Sequence, residues 1–138
     1  MMTAPYALAA AAPQRALPTA PPSPAALPAW HSLLEERWQQ RLSTLTELAL
    51  AYHDAAEGCG GLPAGAAETA RLQRLLREAT AARRALGETE NALARLSDGS
   101  FGRCEQCSRS IPATELLAEP ETRYCAECIA VSWVALAG

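Results

Sequence analysis

The sequence predicts a mainly α chain: an antiparallel two-helix coiled-coil hairpin, followed by a small four-cysteine lobe and a short C-terminal helix. Three observations lead there. Apolar residues recur at steps of three and four over two long stretches. A glycine-rich break separates those stretches. Beyond the second stretch, four cysteines stand as two C-x-x-C pairs. The expected organisation is a tail over 1–29, the hairpin over 30–97 with its tip at 58–65, and the cysteine lobe with its helix over 98–138.

The tail is Ala, Pro and small polar residues, with seven of the ten prolines and one charge, Arg15. It cannot bury enough apolar surface to fix itself, so a disordered, partly polyproline-II segment is expected. Tyr6 to Ala12 is a short apolar patch within the start of the chain, which Pro5 interrupts, and no basic residue precedes it, which argues against a secretory signal. No apolar run reaches the length of a membrane span.

After Trp30 the pattern turns helical. Ser32 and Glu35 have the spacing of a capping box, which predicts a helix from Leu33 to Glu57. Leu34, Trp38, Leu42, Leu45, Ala49, Tyr52 and Ala56 would line its apolar face. Gly58 to Gly65 holds four glycines and a proline within eight residues and must end that helix. A second helix is predicted from Ala66 to Leu96. Leu72, Leu75, Ala79, Ala82, Leu86, Thr89, Leu93 and Leu96 give it a heptad seam. Arg71, Arg74, Arg77, Arg83 and Arg84 lie mostly off that seam and read as a solvated face. Two such helices joined by a short link fold back on one another.

Asp98-Gly99 breaks the second helix, and the cysteines follow. Cys104 and Cys107 form one pair, Cys125 and Cys128 the other, with seventeen residues between the pairs. That spacing is one used to hold zinc. Four thiolates close a tetrahedral shell, so one Zn²⁺ bound there would be structural. Two disulfides, or four unrelated core cysteines, are the alternatives; a redox role lacks the βαβ setting such a motif needs. Ile111 with Leu116 or Leu117 should form a small core beneath the metal. Ile129 to Leu136 reads as a short apolar helix, with Val131 and Trp133 packed on the hairpin base or the lobe.

The stretch from Ala92 to Cys107 joins a leucine pair, an Asp-Gly turn, the Phe101-Gly102 step and the first knuckle. It resembles the start of the DksA/TraR-type zinc finger, and Ile111, Ala118, Pro120 and Tyr124-Cys125 continue the likeness. The resemblance implies a factor that binds bacterial RNA polymerase at its secondary channel. The zinc lobe would anchor at the rim and the coiled coil would reach towards the catalytic centre, often together with ppGpp. Family members acting at the active centre carry an acidic tip. The corresponding positions here, Gly61 to Ala64, hold no carboxylate; the nearest acids are Asp54 and Glu57 before the turn and Glu68 after it, and Glu57 is the one close enough to substitute. Ser108 replaces the glycine usual after the second cysteine, which bears on the knuckle turn; Glu115 stands where the family commonly has Arg, which bears on the rim contact and on any alarmone contact.

Composition sorts the function classes. The net charge is −3 and all twelve basic residues are arginine. That balance argues against strong direct binding to nucleic acid. No nucleophile–base pair, phosphate loop or paired-carboxylate site is present, so an enzyme is not expected. His31 and His53 read as surface or seam residues of the first helix, and Cys59 as a lone thiol at the tip. The expectation is a cytoplasmic, monomeric interaction protein that regulates transcription through RNA polymerase. The alternative is a zinc-finger protein that binds DNA or another protein without polymerase-channel activity.

Overall fold

A computed structural model describes residues 21–23, 26–58 and 65–137. Four helices follow one another: α1, Leu27–Glu57; α2, Ala66–Asp98; α3, Ala113–Ala118; and α4, Ala126–Ala137. The two long helices pack along each other as the hairpin, and no other helix pair packs extensively. Among the described residues the only β pairing is a single antiparallel bridge, Arg103 with Ser110. The tip between Gly58 and Gly65, with Cys59, lies outside the described residues, as do 1–20, 24, 25 and 138.

The first helix starts at Leu27, not at Leu33, and Ser32 is an interior residue rather than its cap. Pro28 sits in the first turn, where a missing N–H costs no intrahelical bond. The Ser23 carbonyl accepts from the Ala26 and Leu27 amides, both at 2.9 Å. The early start has a packing reason. It makes Trp30 helical one turn ahead of Leu34, and both are fully buried. The part of the tail that can be described is thus not free: Pro22 is half-buried and stands against Gly102.

On α2 the expected seam holds, since every one of its eight residues is buried or half-buried. On α1 it holds from Leu34 to Leu45 and again at Tyr52, but not at Ala49 or Ala56. Ala49 and Ala56 are exposed, while Leu48, Ala51, Tyr52 and Ala55 line the inner face. Adjacent apolar residues (Leu48 and Ala49, Ala55 and Ala56) leave a step of three or of four equally open in the pattern. The Trp38 indole spans the seam and donates to Glu90 at 3.2 Å.

Gly99 ends α2 in the left-handed region, φ 87°, and its amide donates back to Arg95. The Asp98 carboxylate then accepts from the Ser100 amide and hydroxyl, at 2.9 and 2.6 Å. This turn delivers Phe101 to the base of the hairpin, 5.6 Å centre to centre from the Trp30 ring. Ile111 and Leu116, both fully buried, complete a core shared by hairpin and lobe with Leu34, Ala92 and Leu96.

The last helix departs from expectation. It starts at Ala126, and Val131 and Trp133 are 64% and 69% exposed rather than packed. Cys125 and Cys128 lie at its start, and beyond Ile129 its described side chains are exposed, with Ser132 and Trp133 beside Gln106 and Tyr124 of the lobe.

Candidate metal centre and the seat of the lobe

Each cysteine pair arrives on a tight turn. In the first knuckle the Cys104 amide donates to the Arg109 carbonyl at 2.9 Å, and the Ser108 amide donates to the Cys104 carbonyl at 3.0 Å. To close this turn Ser108 adopts φ 64°; it is the one non-glycine residue with positive φ among those described. The missing glycine therefore has a visible backbone consequence. In the second knuckle Cys125 precedes α4 and Cys128 lies in its first turn.

The turns bring four sulfurs together. The Sγ atoms of Cys104, Cys107, Cys125 and Cys128 all lie within 4.8 Å of one another. None of the four is in a disulfide. Cys107 and Cys125 are 3.8 Å apart, sulfur to sulfur. A tetrahedron with metal–sulfur bonds of about 2.3 Å has edges of about 3.8 Å, so the set is shaped to hold one ion.

The protonation chemistry points the same way. Burial pushes the Cys104 thiol up, but backbone N–H groups of Cys107, Cys125 and Gln106 aimed at its sulfur outweigh that and bring it down to about 6. Cys128 moves oppositely, up to about 12, because hydrogen bonds to Cys125 and Cys104, together with burial, favour its protonated form. One thiolate is stabilised by peptide dipoles, and the Cys128 thiol keeps its proton beside it unless a cation is shared. A soft divalent cation suits such a donor set.

Two ion pairs cross between the knuckles. Arg123 meets Glu105 at 2.8 Å and Arg109 meets Glu127 at 3.3 Å, both largely solvated. Pairs of this kind contribute about 0–1 kcal/mol each, so they guide the knuckles more than they hold them.

A second polar cluster, unforeseen from the sequence, joins lobe to hairpin. Glu121, buried just after Pro120, accepts from Arg37 Nε with both carboxylate oxygens, at 2.8 and 2.6 Å. Arg41 approaches the same carboxylate at 3.4 Å and donates to Thr89 at 2.9 Å and to the Ala85 carbonyl at 2.7 Å. Arg95 donates to the Glu121 carbonyl at 3.3 Å. Arg37 and Arg41 are one turn apart on the inner side of α1. That i, i+4 arginine pair within an apolar stripe was the one available signal. Glu121 itself gave none.

Of the acids proposed for the tip, Glu57 is the last residue of α1 and Asp54 lies a turn earlier; both are exposed. Glu57 meets His53 at 3.3 Å. Glu115 has one carboxylate oxygen, Oε2, buried with no hydrogen-bond partner. No described helix is long and apolar enough to cross a membrane.

Comparison with known proteins adds three findings. No family model matches the chain. A stretch of 43 residues is 46% identical to an uncharacterised protein of Aquifex aeolicus (strain VF5), covering 31% of this chain and 30% of that protein. The fold matches the structure of transcription factor DksA2 from Pseudomonas aeruginosa with a TM-score of 0.75, over 84% of this chain and 89% of that one, at 20% identity. The chain therefore has the DksA-type fold, a helical hairpin on a four-cysteine lobe.

Proposed function

We propose that this chain regulates transcription by binding bacterial RNA polymerase at its secondary channel, with the lobe anchoring at the rim and the hairpin entering. One observation carries the reading: hairpin and lobe together, 84% of the chain, superpose on a transcription factor. A likeness confined to a four-cysteine knuckle would have pointed only to a metal-binding turn. The resemblance of Ala92 to Cys107 to the DksA/TraR finger supplies the partner.

In this reading Cys104, Cys107, Cys125 and Cys128 hold one structural Zn²⁺, which keeps the lobe folded and has no open position for chemistry. The protein acts in the cytoplasm as a monomer and without catalysis. Glu115 offers a carboxylate where the resemblance leads one to expect an arginine, which disfavours a contact with ppGpp there.

The test is a pull-down of polymerase core enzyme by the full chain, with metal content measured on the same sample. Retention of the core enzyme by the zinc-loaded protein, unchanged by added ppGpp, is the expected result. No retention at micromolar concentrations would refute the reading.

A further inference from the structure

We infer that Glu121 is a positioning residue: its carboxylate, clamped by Arg37 and Arg41, fixes the orientation of the lobe on the hairpin. The metal folds the lobe, and this latch aims it.

Three observations support a latch over an incidental ion pair. Glu121 belongs to the lobe, whereas its partners come from both long helices: Arg37 and Arg41 from α1, Thr89 and Arg95 from α2. Its side chain is only 4% exposed, so the contact is made away from solvent. The surrounding seat is also thin. Neither α3 nor α4 packs extensively on the hairpin. An open cleft of about 570 Å³ separates hairpin residues such as Ala81 and Ala85 from Tyr124 and Ile129 of the lobe, and Arg41 and Glu121 are part of its lining. Along that side polar contacts bridge the gap, while the shared apolar core lies around Trp30, Phe101 and Ile111.

A buried ion pair adds little net stability compared with apolar residues of the same size, because desolvating the charges offsets their attraction. It does impose direction. Glu121 is satisfied only where two arginine side chains and a threonine hydroxyl converge, and tilting the lobe separates them. An apolar contact would allow sliding; this one favours a single seat.

The consequence for binding rests on the proposed function. A lobe at the rim and a hairpin in the channel must engage together, and two linked contacts add only when their geometry allows both. The latch itself does not depend on polymerase, so the two ideas can fail separately.

Pulsed electron–electron distance measurement on the full zinc-loaded chain tests it. Nitroxide-bearing unnatural amino acids at Gln73 on α2 and Thr114 in the lobe, both exposed, leave the cysteines for the metal. Wild type should give one narrow distance peak. Glu121→Gln should lose that peak while keeping one metal equivalent and the hairpin helicity. Should Glu121→Gln lose its metal, the double variant Arg37→Gln/Arg41→Gln decides, since it leaves the lobe sequence intact. A paired change, Glu121→Leu with Arg37→Leu, separates orientation from stability: the melting temperature should hold while the narrow peak is lost. A broad wild-type distribution, or a narrow peak that survives in Arg37→Gln/Arg41→Gln, overturns the latch.

Discussion

Ser108 closes the first knuckle with φ 64°, a conformation that Cβ-bearing residues adopt at a cost. Ser108→Gly should therefore stabilise the metal-loaded lobe by about 1 kcal/mol. It would be read as a higher denaturant concentration for zinc release. Gly102 is the opposite case. It holds φ 84°, and a Cβ there would come within 2.8 Å of Pro22 Cγ and 3.4 Å of Leu116 Cδ1. Gly102→Ala should cost about 1–3 kcal/mol by the same assay, through backbone strain and the lost seat of Pro22. Beside the tip, Glu57 is exposed and meets His53 at 3.3 Å. Removing it with Glu57→Ala should leave polymerase affinity nearly intact and lower the effect on transcription in vitro. Placing Asp at Gly61 and Ala64 should raise that effect. An equal loss of affinity and effect would argue that Glu57 contributes to binding rather than acting near the polymerase's catalytic centre.

Among the elements, α2 was the most legible, because leucine, alanine and threonine recur there with charged residues between them. The first helix was legible as a helix but not in register: its neighbouring alanines and leucines satisfy two seams at once. Its start was hidden for a different reason. Ser32 has good local capping chemistry, but local capping is worth about 1 kcal/mol. Burying Trp30 against Phe101 outweighs it, since a buried Trp contributes about 3–5 kcal/mol. Trp30→Ala should accordingly destabilise the hairpin base by about 3–5 kcal/mol. Helical ellipticity followed through a denaturant titration checks this, and a loss below about 1 kcal/mol would mean that the early helix start lacks its proposed cause. The cysteine cluster could be read in full from spacing. The Glu121 cluster could not, because one glutamate after a proline carries no periodicity and its partners lie far off in sequence. For α4 the apolar composition was read correctly and its burial was not: composition does not say which helix finds a partner within its own chain.

At the scale of the molecule, hairpin and lobe should differ in their need for metal. The hairpin buries its own seam along two long helices, whereas the lobe has a handful of apolar side chains beneath four thiols. Chelation, or Cys125→Ser, should melt the lobe and leave most of the hairpin helicity. Far-ultraviolet ellipticity beside metal analysis would register it. A lobe that stays folded without metal would mean that the core around Ile111 and Leu116 suffices.

In the proposed function, hairpin and lobe act together in the secondary channel of RNA polymerase. Competition for core enzyme tests it most directly: the full zinc-loaded chain is titrated against a labelled factor already known to occupy that channel. Mutual exclusion is expected, complete at saturation and lost when Cys125→Ser removes the lobe's anchor. Simultaneous binding of both proteins, or no binding of this chain to core enzyme, would contradict it.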